Sequence, residues 1–187
     1  MSSFHINQMI NDKEQDDVLS ETVSLSCHLL ENEWTYYSHL PKNKNWNLQS
    51  YTVICNDINN VELVNALNKS INENIVKGFM LFVMKKGISP MWEDDKNKNG
   101  RVFKFLVMNK NIYDVWKQLI CCLCGGSLCV NPEHNSYITG VSISPKRHFC
   151  ILKIWVSSEE LNNTNIFIDI PNLPKEGCIF TKHGGDF

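Results

Sequence analysis

Apolar residues in this chain fall into short runs separated by Asn-, Lys- and Pro-rich stretches, and only two segments keep a clear helical period. Trp34 to His39 reads as a first strand and Tyr51 to Cys55 as a second. Phe79 to Met84 and Val102 to Met108 are two further strands flanking a long polar loop. Tyr137 to Ile143 and Phe149 to Val156 form a pair around the tight basic turn Ser144-Pro145-Lys146-Arg147-His148, and Cys178 to Lys182 closes the chain as a strand. Val61, Val64, Leu67 and Ile71 recur at helical spacing behind a capping Asn59 or Asn60. Ile112, Val115, Trp116, Leu119, Ile120 and Leu123 give the strongest amphipathic pattern, stopped by Gly125-Gly126. Ser157-Ser158-Glu159-Glu160 reads as the start of another helix, short because Pro171 and Pro174 follow. The sum is an α+β plan: a curved antiparallel sheet of about seven strands with helices on one face.

Composition sharpens this picture in a few places. With 187 residues and 43% hydrophobic content the chain suits a single domain with one sizeable core. A formal net charge of −2 does not announce a nucleic-acid binder, but the charge is uneven. Residues 1–33 hold seven acids against Lys13 alone, whereas the rest holds 17 basic and 13 acidic residues. An acidic, aperiodic arm over residues 1–27 and a mildly basic domain over 28–187 are expected, and any anion site on that domain must be local. There is no run of about 18 apolar residues to span a membrane and no signal pattern at the N-terminus, so a cytoplasmic or nuclear protein is expected; separately, a monomer is expected. In that setting the eight cysteines are expected as reduced thiols.

The loop Gly87-Ile88-Ser89-Pro90-Met91-Trp92-Glu93-Asp94-Asp95-Lys96-Asn97-Lys98-Asn99-Gly100-Arg101 carries the most informative chemistry. A Trp stands in a polar loop directly before a carboxylate, where burying an indole does the fold little good. Indole offers a π face, Glu93 two acceptor oxygens and Arg101 a fork of donors, which together suit a flat, cationic, N–H-rich ring carrying phosphate. The competing reading is a Trp covering the end of a core, with its charges merely solvated. Trp46, in the polar loop Leu40 to Asn47, is open to the same two readings. Trp34, Tyr37 and Trp116 have apolar neighbours and are assigned to the core.

The run Gly-Ile-Ser-Pro-Met-Trp-Glu-Asp-Asp-Lys-Asn-Lys, taken with Trp46, Trp116 and the strand end Lys153-Ile154-Trp155, resembles the eukaryotic translation initiation factor 4E family of mRNA cap-binding proteins. The resemblance extends from about His28 to His183. It implies seven to eight antiparallel strands backed by three helices on the convex face, and no enzymatic activity, cofactor or metal. It also implies a 7-methylguanine base held in the concave face between Trp46 and Trp92, with Glu93 accepting from the base N1 and N2 hydrogens and Trp155 walling the methyl group. Arg101, Lys146, Arg147 and Lys153 are the implied phosphate ligands. Capped mRNA is the implied partner, with a scaffold factor 4G or a 4E-binding protein on the convex face.

The chain departs from the family pattern at identifiable positions. Arg101 follows one Gly where the family has two, and Val102 stands where a Trp is usual. Lys146 takes an Arg position with Arg147 beside it, so either could be the ligand. Ile151 occupies the place of a second phosphate-binding Lys, for which Lys153 could substitute. On the convex face His28, Val61 and Gly125 match the family. Asn65 replaces the Trp that grips a Tyr-x-x-x-x-Leu-apolar partner motif, and Lys117, Gln118 and Cys121 replace Leu, Glu and Leu. The expectation is a groove that persists but has been made polar, leaving open a factor that binds caps yet represses or stores transcripts.

Two other chemistries fit parts of the sequence. Cys121, Cys124, Cys129 and His134 come near zinc-knuckle spacing, but Cys121 and Cys124 fall on the predicted amphipathic helix, where a knuckle needs a turn. Glu93-Asp94-Asp95 could hold a divalent metal in a nucleotide hydrolase, although no phosphate-binding glycine loop or His-Glu-x-x-His accompanies it.

Overall fold

The computed structural model describes residues 27–182. The arm expected over 1–27 therefore lies, apart from Cys27, outside the described residues. Seven antiparallel strands make one curved sheet: β1 (Leu29–His39), β2 (Thr52–Asn60), β3 (Met80–Lys85), β4 (Arg101–Met108), β5 (Ile138–Pro145), β6 (Phe149–Val156) and β7 (Ile179–Lys182). Their order across the sheet is β2-β1-β3-β5-β6-β4-β7. Every pairing is antiparallel.

Three α-helices are described: α1 (Val61–Ser70), α2 (Glu73–Gly78) and α3 (Ile112–Cys124). Asn60 caps α1 by accepting from the Leu63 amide, and Asn72 caps α2 by accepting from the Ile75 amide. Glu62 and Lys69 sit at the ends of α1 that the helix dipole favours. Along α3 the buried residues are Ile112, Val115, Trp116, Leu119, Ile120, Leu123 and Cys124, the stripe its period required. Gly126, at φ 63°, turns the chain away after Gly125.

The helix expected from Ser157 does not form. Residues beyond Val156 run as bends to a single 3-10 turn, Thr164–Ile166. The amide of Ser157 donates to the Tyr137 carbonyl, continuing the sheet, and Glu159 is drawn to Arg101 and Lys182. The third helix is instead α2, six residues long and too short to show a period.

Strand alternation divides the sheet into two faces. Leu81 and Val83, Phe103, Phe105 and Val107, and Leu152, Ile154 and Val156 turn toward the helices and form the main core with Trp34, Tyr36 and α3. There the Trp116 indole N–H donates to the Tyr36 hydroxyl at 2.8 Å, and burial pushes the Tyr36 pKa far above the usual tyrosine range. On the other, open face Phe82, Met84 and Trp155 form a small second cluster, with Tyr37, Tyr51, Met80 and Ile88 packed against it. Tyr37 thus belongs to the open face and not to the main core. Gly140 is required here, because a Cβ would collide with the Met84 sulfur and the Val83 carbonyl.

Candidate functional site

Two loops converge over the open face. One leaves the end of β1 at His39, and the other leaves β3 at Lys85, whose register partner Trp34 lies midway along β1. They meet at the small cluster: Ile88 of the second loop and Tyr51 of the first both pack on Phe82, Met84 and Trp155. The Tyr51 hydroxyl is pushed up to about 12, by burial first and by the charge of Glu93 second. Asp94 acts on Tyr37 in the same way, after the larger effect of burial.

The first loop is held by a relay of Asn side chains. Asn43 accepts from the Asn45 amide, Asn45 from the Asn47 amide, and Asn47 from the Ser50 amide. Asn45 also offers its carbonyl to His39 Nε2 at 2.8 Å, so that nitrogen carries the proton and donates. The His39 ring is thereby fixed, and Trp46 lies flat upon it, with centroids 4.4 Å apart and planes 7° from parallel. Tyr51 leans on both rings. One face of the Trp46 indole is therefore covered while the side chain as a whole stays 48% exposed.

The second loop explains why its sequence is so particular. Asp94 accepts from the Ser89 and Lys96 amides, and Asn97, fully buried, donates to the carbonyls of Ser89 and Met91. Gly100 closes the loop against the Val156 carbonyl with no room for a Cβ. These bonds hold Trp92, 49% exposed, and Glu93, also exposed, at the tip of a rigid turn. Asp94 is committed to backbone amides and Asp95 to Lys98 at 2.7 Å, which leaves a divalent metal only Glu93 from this acidic run. Trp155 is nearly buried below the loops, its indole N–H bonded to the Ser142 hydroxyl at 2.9 Å.

The four expected phosphate ligands do not come together. Arg101 begins β4 on the same parity as Phe103, so it points to the helix-bearing side. Its guanidinium lies 4.7 Å from the Phe180 ring centre and 3.7 Å from Glu159. Val102, buried, takes the open-face position instead. Lys153 does face the open side, and its pKa is pushed down to about 8 by burial, then by the charges of Lys104 and Lys146. Lys146 is exposed in the β5–β6 turn, where Arg147 is tied through its carbonyl to Asn109 at 3.1 Å. Of those two, it is Lys146 whose charge reaches Lys153. Lys104, His39 and Tyr51 were not singled out from the sequence. Alternation along β4 makes Lys104 detectable once its partner strand is known, whereas His39 and Tyr51 carry no signal outside the fold.

The residues expected for partner binding lie on the outer helical surface. Asn65, Gln118 and Cys121 are exposed and Lys117 is half-buried. Asn68 of α1 joins the two helices by donating to the Lys117 carbonyl and the Cys121 sulfur. His28 bonds to Glu62 through Nδ1 at 2.7 Å and accepts from the Val61 amide, and Gly125 follows α3. Cys124 and Cys129 are buried, and burial pushes their thiols up to about 12 and about 11, away from the thiolate that zinc requires. No group of His, Cys, Asp and Glu that could hold a metal occurs among the described residues. No described helix is long and apolar enough to cross a membrane.

Comparison with known proteins places this arrangement. The chain is 28% identical over 157 residues to eukaryotic translation initiation factor 4E of Xenopus laevis, covering 80% of this chain and 70% of that one. It is 25% identical over 146 residues to the eukaryotic translation initiation factor 4E homolog of Acanthamoeba polyphaga mimivirus, where 67% of this chain spans about half, 54%, of the relative. Its fold matches C. elegans eIF4E-3 in complex with the 4E-binding protein Mextli and cap analog, at TM-score 0.63, 22% identity and coverage of 72% and 77%. Schistosome eIF4E complexed with m7GpppG and 4E-BP gives TM-score 0.63, 23% identity and coverage of 73% and 75%. The family described as eukaryotic initiation factor 4E matches residues 29–175, so with these elements in place the chain belongs to the eukaryotic initiation factor 4E family.

Proposed function

We propose that this protein binds the 7-methylguanosine cap of mRNA in the open face of its sheet and takes part in translation initiation, as a cytoplasmic binding protein without enzymatic activity. The observation that carries the reading is a pair of half-exposed indoles on two stiff loops that converge over one face, with a carboxylate adjacent to one of them. Trp46 is backed by His39 and has its other face to offer. Methylation at N7 makes guanine a cation. Between two desolvated indoles such a ring gains about 2 kcal/mol or more over the neutral base, beyond stacking of roughly 1–3 kcal/mol. Glu93 would accept from N1 and N2 of guanine in a charge-assisted pair, which adenine cannot make. Trp155, locked by Ser142, would close the pocket beside the methyl group. The relatives whose structures are named as complexes with a cap analog or m7GpppG support this reading.

Affinity capture tests it. The protein should be retained on immobilised 7-methyl-GTP and eluted by free 7-methyl-GTP but not by GTP. Elution by both alike would remove the proposal.

Relatives named in complex with 4E-binding proteins support a partner such as a scaffold factor 4G or a 4E-binding protein on the outer face of α1 and α3. That face here carries Asn65, Lys117 and Gln118, which favours weak engagement of an apolar partner helix and hence a role in repressing or storing capped transcripts. A Tyr-x-x-x-x-Leu-apolar peptide should bind weakly. Tight binding would exclude this second reading.

A further inference from the structure

The open face carries a charge arrangement that a sheet does not adopt for stability. In the β4–β6 register Lys104 stands directly opposite Lys153, and in the β5–β6 register Lys153 stands opposite Ser142. Lys104 shares the face of Val102 and Leu106, Lys153 that of Trp155 and Ile151, so the two lysines are cross-strand neighbours on one side. Like charges in that position repel, and both groups are also partly desolvated: burial lowers the pKa of each, and for Lys153 the Lys104 and Lys146 charges add to the effect. Two half-buried, mutually repelling ammonium groups at mid-strand on neighbouring strands are the mark of an anion site.

The position of the pair within the face indicates which anion. Lys153 lies two residues along β6 from Trp155, roughly 7 Å at strand spacing. That span suits the reach from a purine base to its own 5′-phosphate. The next row outward is apolar, Leu106 opposite Ile151, and positive charge returns in the turn, where Lys146 is the residue whose charge reaches Lys153. Ile151 is the position at which the family resemblance puts a phosphate-binding lysine. In this chain the charge is therefore concentrated one row nearer to Trp155.

We propose that Lys104 and Lys153 form the seat of the first phosphate of the bound nucleotide, with Lys146 reaching the later phosphates. This rests on the cap-binding reading and adds to it. A 7-methylguanosine monophosphate would already make the strongest phosphate contacts that the protein has to offer.

The test compares 7-methylguanosine, 7-methyl-GMP and 7-methyl-GTP as ligands of the wild-type protein and of Lys104→Met, Lys104→Arg and Lys146→Met. Wild type should bind 7-methyl-GMP at least tenfold more tightly than the nucleoside, with a smaller further gain for 7-methyl-GTP. Lys104→Met should erase most of the gain at the first phosphate and leave nucleoside affinity within twofold. Lys104→Arg should keep most of the gain, and Lys146→Met should act on 7-methyl-GTP more than on 7-methyl-GMP. Unchanged nucleoside affinity doubles as proof that Lys104→Met is folded; should that variant fail to fold, the wild-type ligand series and Lys146→Met decide. Binding of 7-methyl-GMP that is insensitive to Lys104→Met, or a phosphate gain that arises mainly at the second and third groups, would overturn the proposal. Failure of wild type to bind any of the three ligands would instead sink the cap-binding reading itself.

Discussion

Replacing Lys153 by Met should make the protein more stable while weakening its grip on phosphate. The substitution removes the charge and keeps a flexible apolar chain of similar reach. An ordinary lysine titrates near 10.5 and this one near about 8. At about 1.4 kcal/mol for each pH unit, that gap is a penalty of about 3 kcal/mol on the charged form in the folded state. Relaxation and water entry reduce it, so a gain of about 1–3 kcal/mol is expected at pH 7. The pH dependence gives the idea its edge. Below pH 8 Lys153 is charged in folded and unfolded chains alike, and the fold bears the whole penalty. Between about 8 and 10.5 the folded protein releases a proton that the unfolded chain keeps, so wild-type stability rises toward that of the variant. Urea denaturation of both proteins at pH 7 and pH 10 reads the effect directly. A variant less stable than wild type at pH 7, or a gain that does not shrink by pH 10, would refute this account of the lysine cluster.

Other consequences are checked as simply. Tyr36→Phe leaves the buried Trp116 indole N–H without its 2.8 Å acceptor and should cost about 1–3 kcal/mol in chemical denaturation, with no change in ligand affinity. Asn97→Ala releases the carbonyls of Ser89 and Met91 and should weaken 7-methyl-GTP binding about tenfold or more in a titration, because Trp92 and Glu93 lose their support. Gly140→Ala should destabilise by about 1–3 kcal/mol through the clash with Met84 and Val83, seen as a lowered melting temperature.

The readable parts of the sequence were those where one face is strongly apolar. The α3 stripe and the β5–β6 hairpin followed from spacing alone, and the Trp92 loop stood out because its residues are used for turns and a site instead of a core. The failures have physical causes. Helix α2 spans under two turns, so capping by Asn72 rather than period defines it. The Ser157 segment has the charges of a helix start, but its backbone serves the sheet edge and Glu159 serves Arg101 and Lys182. Arg101 falls on the helix-bearing side because a strand's two faces alternate residue by residue, and the loop before it, one residue shorter than the family pattern, reverses the side chain at its end. Lys104 is hidden in the sequence for a related reason: a single lysine in an apolar strand looks solvated until the register sets it against Lys153.

The account stands on a methylated base lying between Trp46 and Trp92. Tryptophan fluorescence titration with 7-methyl-GTP and GTP, on wild type, Trp46→Ala and Trp92→Ala, measures this most directly. Wild type should show strong quenching and a preference of about thirtyfold or more for the methylated ligand, as a cation–π gain of about 2 kcal/mol requires. Each single substitution should remove most of that preference. Equal affinity of wild type for the two ligands, or a preference that survives the loss of either indole, would contradict it.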